Sequence, residues 1–357
     1  MNLRRRTLLS MPLVVGGPFV AAGTAALAQG TSAGGTRAAG TDLARITEAA
    51  NKGGHIDIHH NIPPPLGDLW LGDFRKAFPK IAVEATRLPS AEMMQRFGTE
   101  YPAGASKTDV VITLWDETLP AWAKNGWVKT WVPPEAAALA SDYKRHDQFY
   151  TIQLIRSAMV SHKGRIKDAD APREWVDFFN PKWKDKIGIN PPWRSVAVQE
   201  MLAFWHDQGE RDIAKRLKAN GVRFFNGSAG IVQAVIRGDV QVAAVIEPPV
   251  ISAIADGAPI RVVYPASGVP ATATVAFLPT KSPNQDAGML FLNWSMSAPG
   301  QQSLQDHAGA PVTRPGVKPP KLVPGLDGMK IVLTERLLTP AMQKSIIEEW
   351  RSVFGLQ

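Results

Sequence analysis

From residue 55 onward the chain alternates short, β-branched apolar runs with stretches whose apolar side chains recur at helical spacing. This alternation constrains the fold more than any other feature. "HIDIHH" (55–60), "IAVEATRL" (81–88) and "TDVVITLW" (108–115) read as strands. Helical patterns occupy 42–51, 68–79 and 90–101, the second ended by Pro79. A second alternation follows residue 150. Strands are expected over 150–162, 185–192, 222–228 and 240–247, with helices over 172–180, 195–209 and 229–239. "IRVVYP" and "TATVAFLP" add strands, and the tail reads as helices over 284–297, 299–307 and 339–353. Strands separated by helices cannot close as hairpins, so the pattern predicts an α/β chain with parallel pairing and helices on the sheet faces. At 357 residues, two such units in sequence are long enough for two domains.

In open α/β sheets, ligands sit beyond the carboxyl ends of the strands. Here those ends are loops 59–67, 115–119, 190–195, 225–229 and 247–250, all rich in Pro, Gly, Ser, Trp or charged residues. The last is unusual. In "VQVAAVIEPPVISAI" (240–254) an apolar strand runs into Glu247, Pro248 and Pro249. Proline cannot donate to a ladder, so the strand must stop there, with a carboxylate at its end.

The N-terminus reads "MNLRRRTLLSMPLVVGGPFVAAGTAALAQ": a basic start, an apolar stretch broken by glycines, and Ala26-Leu27-Ala28 as an A-x-A cleavage site. Arg5-Arg6-Thr7-Leu8-Leu9 is similar to a twin-arginine export signal. Residues 1–28 are therefore expected to be a cleaved signal peptide and the small, polar stretch 29–40 a flexible leader. The alternative for the first segment is a retained anchor. Cleavage would remove three arginines from a net charge of +8. The remaining Lys and Arg are scattered, with no basic block that would suit nucleic acid. Cysteine is absent, which excludes disulfides and thiolate metal sites. A soluble, monomeric periplasmic protein is expected.

Three stretches carry a resemblance: "FFNPKWKDKIGI" (178–189), "RGDVQVAAVIEP" (237–248) and "FLNWSMSAPGQQSL" (291–304). Over about 53–310 the chain resembles the extracellular solute-binding proteins of ABC importers, in the group that includes ferric-ion, thiamine, polyamine and phosphonate binders. The resemblance implies a two-lobed type II periplasmic-binding-protein fold whose lobes close on the ligand about a hinge with two chain crossovers. These would lie near 150–156 and 268–275, giving one lobe of 41–152 plus 274–357 and another of 153–273. It also implies a cognate permease in the inner membrane as partner, no cofactor and no catalysis. Ferric-ion binders of this group resemble one another in adjacent tyrosines after the strand matching 240–246. This chain has Glu247-Pro248-Pro249 there, and none of its four tyrosines are neighbours. Phenolates are what hard Fe(III) prefers, so an iron role is disfavoured.

The candidate ligand-binding residues are Trp115, Asp116, Trp193, Arg194, Ser195, Gly227, Ser228 and Glu247. Gly227-Ser228 opens a predicted helix whose free N–H groups and dipole suit an anion. Ser195 stands at the start of another helix, with Arg194 beside it for a forked contact. Plain helix capping is the alternative for both serines. Asp116 and Glu247 suit an amine, with Trp115 or Trp193 stacking on it. No metal site is expected: Asp57 and His59 share a strand face, but two ligands do not make a site. "NGSAG" is not a nucleophile elbow, because Asn226 stands where the first glycine is needed. The mixture fits a small anion or zwitterion such as an aminophosphonate or amino-carboxylate, with a polyamine or thiamine-like cation as the alternative. A secreted enzyme on a similar fold is the rival class.

Overall fold

The computed structural model describes residues 33–356. The expected signal peptide lies outside them. In chain order, helix α1 (Ala33–Gly53) leads into β1 (His55–His60), α2 (Leu66–Ala77), β2 (Ala82–Arg87), α3 (Ser90–Glu100), β3 (Val110–Leu114) and α4 (Leu119–Lys124). Then come β4 (Lys144–Arg145), the long β5 (Phe149–His162), β6 (Ile187–Ile189), α5 (Val196–Asp207), α6 (Ile213–Ala219), β7 (Arg223–Phe224) and α7 (Ser228–Arg237). The chain continues through β8 (Val242–Ile246), α8 (Pro248–Ala255), β9 (Ile260–Val263), β10 (Val269–Phe277), α9 (Gln285–Met296), α10 (Ala298–Ala308), β11 (Ile331–Leu333) and α11 (Pro340–Phe354).

The strands form one hydrogen-bonded path, β2-β1-β3-β10-β5-β8-β6-β7, with β11 beside β10 and with β4 and β9 beside β5. β1, β2 and β3 pair in parallel, and so do β6, β7 and β8, as the helix crossovers require. β5 and β10 run antiparallel between these two groups. Residues 150–156 of β5 face β10, while Ser157–Ser161 face β8, so the strand passes from one half of the sheet to the other at Arg156.

The central strands are covered on both faces, which is why β3 and β8 read as continuous apolar runs, while the edge strand β2 stays largely exposed. In the first half, Trp70 and Phe74 of α2 meet Phe291 and Trp294 of α9 with ring centroids 4.9–5.5 Å apart. On the opposite face Phe97, Trp122 and Phe277 cluster. In the second half, Trp175, Phe178 and Trp205 form one core, and Ile231, Val235 and Val245 another.

Several expectations need correction. Residues 33–40, expected in a flexible leader, belong to α1. The helix expected over 172–180 is a single 3₁₀ turn, Trp175–Phe179, held by reciprocal hydrogen bonds between Glu174 and Asp177. Two short helices, α6 and α8, were not foreseen. In α8 the prolines that end β8 occupy the first helical turn, where a missing N–H costs nothing. The tail does not stay with the first half: Ile346 and Trp350 of α11 are buried in the core formed by Trp175 and Trp205. Among the described residues, no helix is long and apolar enough to cross a membrane.

Candidate functional site

Four of the five predicted loops converge. Residues 190–195 and 225–228 line a cavity of about 200 Å³, closed on one side by Ile246. Ile246 also borders a cavity of about 350 Å³, which takes Asn61, Pro63 and Leu66 from the loop after β1 and start of α2, Leu114 from the end of β3, and Pro248 and Pro249 from α8. The second cavity therefore receives strand ends from both halves of the sheet. A cavity of about 390 Å³ between residues 138–143 and 311–327 lies apart and contains none of the predicted residues.

Arg194, Ser195, Gly227 and Ser228 come together in the smaller cavity. Gly227 precedes α7 with φ 84° and ψ 151°, a conformation essentially reserved for glycine. No side chain caps α7, so its first-turn N–H groups and positive dipole end stay available. Ser228 is buried and its hydroxyl accepts from Asn190 Nδ2 at 3.2 Å. Asn190 Oδ1 is buried without a partner. Arg194 is exposed and donates to Asn226 Oδ1 at 3.1 Å, leaving most of its fork free. The Ser195 hydroxyl accepts from Val198 N at 3.4 Å, so this serine is a helix cap as well as a cavity wall.

The other four predicted residues lie elsewhere. Glu247 does not face the cavities. It is fully buried, its two oxygens taken by the Arg156 guanidinium, with Nε to Oε2 at 2.9 Å, and by Tyr264 Oη at 2.5 Å. Burial and the Glu247 charge push the Tyr264 phenol well above its usual range, so it stays protonated and donates. A charge at the end of an apolar strand needs a partner, and here an internal arginine provides it rather than a ligand. Asp116 is exposed and caps its own turn, accepting from Thr118 N at 2.8 Å. Trp115 packs edge-on to Phe149 at 5.5 Å, with the Arg145 guanidinium over its ring at 4.4 Å. Trp193 turns toward the core and meets Phe224 edge-on at 5.2 Å. Thus no acidic residue lines either cavity. Sequence reasoning missed Asn190, Gln153 and the apolar wall. Nothing local distinguishes those residues from ordinary strand ends.

No group of three or more potential metal ligands occurs among the described residues. No tyrosine lines either cavity, and Tyr150 is committed to Trp131 O at 2.7 Å.

A parallel-stranded pair of half-sheets, joined by two antiparallel strands and opening a cleft at their ends, is an α/β periplasmic-binding-protein fold of type II. Iron-bound HitA from Pseudomonas aeruginosa superimposes with a TM-score of 0.68 at 18% identity, over 84% of this chain and 99% of that one. The binding protein AfuA from Actinobacillus pleuropneumoniae, with exogenous fructose-6-phosphate bound, gives 0.67 at 16% identity over 85% and 99%. Apo ferric ion-binding protein A from Pasteurella haemolytica gives 0.70 at 15% identity over 84% and 98%. At such identities these likenesses establish the fold. Residues 70–324 match the model of bacterial extracellular solute-binding proteins, and the chain belongs to that family. It is a receptor and not an enzyme. A comparison with curated protein sequences returned no match.

Proposed function

We propose that this chain is the periplasmic receptor of an ABC importer, exported through a cleaved twin-arginine signal, and that it takes a small organic anion in the cleft and delivers it to its permease. The observation that carries the reading is the uncapped N-terminus of α7 beside the free Arg194 fork, in a cavity whose walls hold no carboxylate. Closure of the two halves, as in hinged binding proteins, would exclude water and strengthen those contacts. The expected amine partner is gone: Glu247 is neutralised by Arg156 and Asp116 caps a turn. An anion is therefore favoured over a zwitterion, and both over a polyamine or thiamine-like cation. An iron role lacks tyrosine, histidine and carboxylate ligands in the cleft. Isothermal calorimetry with phosphonates, carboxylates and polyamines tests this directly. Tight binding of a polyamine, with none by any anion, would overturn it. Mass spectrometry of the periplasmic chain should show Gln29 as the first residue, and a full-length chain confined to membranes would refute export and cleavage.

A further inference from the structure

The anion seat shares Ile246 as a common wall with a larger cavity. The larger, about 350 Å³, is faced chiefly by apolar groups, with Leu66, Leu114, Ile155, Ile246, Pro248 and Pro249 the ones that matter here. It has no charged residue. Its polar members are few and largely committed or buried: Asn61 donates to Ser90 Oγ at 3.0 Å, and Thr274 and Gln153 are almost fully buried. Of its fully buried side-chain atoms, one amide oxygen, Asn61 Oδ1, and one amide nitrogen, Gln153 Nε2, have no partner.

We infer that the larger cavity seats an apolar body, so that the solute is an alkyl or aryl organic anion rather than a sugar phosphate or a bare inorganic anion. The inference rests on the anion reading above and adds the substrate class. The head is held at the N-terminus of α7 by charge and N–H groups. The body crosses Ile246 and removes its own apolar surface and that of Leu66 and Leu114 from water, which drives association. A sugar in the same place would bring several hydroxyls to a wall that is mostly apolar and carries no charged group. Each hydroxyl buried without a partner weakens binding roughly 5- to 150-fold. The prolines matter here too: Pro248 and Pro249 present no N–H to the cavity, so the start of α8 is an apolar surface and not a second anion site.

A homologous series of alkylphosphonates, methyl to hexyl, keeps the head constant and lengthens only the body. Calorimetry should show affinity rising about fourfold per added methylene until the cavity is filled. Hexylphosphonate should bind at least tenfold tighter than glucose 6-phosphate. Leu114→Asn, which alters the larger cavity and none of the anion seat, should flatten the series by weakening hexylphosphonate far more than methylphosphonate, with circular dichroism confirming the fold. If that variant does not fold, the series on the unaltered protein still decides. A flat series with measurable methylphosphonate binding keeps the anion seat and overturns this inference. So does glucose 6-phosphate as the tightest ligand of the set. Binding by no phosphonate overturns this inference, and the absence of binding by any anion removes the anion reading with it.

Discussion

Glu247→Gln should destabilise the protein, although glutamine has nearly the same shape. Glu247 and Arg156 both have side chains with 0% exposure. The guanidinium gives Nε and Nη2 to the carboxylate, Nη1 to Gly325 O at 3.1 Å, and Nη2 also to Pro324 O at 3.0 Å, and it stacks on Tyr264 at 4.2 Å. These contacts tie β5, β8 and the tail together where β5 passes between the two halves of the sheet. Glutamine removes the negative charge and turns an N–H₂ group toward groups that also donate. Breaking a buried pair by losing one partner costs about 3–5 kcal/mol. Two backbone carbonyls still accept from Arg156, so the lower end is expected, about 3 kcal/mol. For a chain of this length that corresponds to a fall of about 5 °C in Tm. Urea denaturation should show the midpoint falling with an unchanged slope. Replacing both partners by apolar residues, Arg156→Met with Glu247→Leu, should recover most of the loss, because two charges then leave the interior together. A loss below about 1 kcal/mol in Glu247→Gln would falsify the claim that the pair is dry and structural.

Arg194→Ala should weaken an alkylphosphonate by roughly 10- to 150-fold, the range for a lost hydrogen bond to a charged group, while leaving Tm within about a degree because Arg194 is exposed; unchanged affinity in calorimetry would remove Arg194 from the site. Gly227→Ala should cost about 1–3 kcal/mol, since φ 84° with ψ 151° is strained for any residue with a Cβ, and it should weaken the same ligand by displacing the first N–H groups of α7. Burial pushes the Glu200 carboxyl up to about 7, against hydrogen bonds from Thr272 and Thr334 and with help from the Glu335 charge. The folded state therefore holds a proton that the unfolded chain releases near pH 4.5, so stability from this group is greatest at low pH and is lost as pH rises through 7. The loss is on the order of 2–3 kcal/mol. Urea denaturation at pH 5 and pH 8 should show that fall, and Glu200→Gln should abolish most of it; equal slopes in the two proteins would show that Glu200 is not the group responsible.

Residues 150–162 and 242–246 show why the strands were readable in advance: nearly every side chain of each strand is buried, and a run rich in apolar residues has few other uses. The convergence of loops 59–67, 190–195, 225–229 and 247–250 was equally legible, because parallel strands joined by helices place their carboxyl ends on one edge. That Arg194 and Gly227 line the smaller cavity was legible for the same reason: a helix N-terminus is marked by the two or three residues beside it. Glu247 was misread because its meaning depends on Arg156, 91 positions away in sequence and brought beside it only by the pairing of β5 with β8. Trp115, Asp116 and Trp193 failed likewise, each standing at a strand or loop end but turned to Phe149, Thr118 or Phe224 by local packing. The sequence by itself determined the alternation of elements, the cleft edge and the uncapped helix start at Gly227, since these follow from local periodicity and backbone chemistry. Only the tertiary structure decided which charges are spent inside the protein and which face the cleft, because a side chain's partner is chosen by through-space packing that no local pattern records.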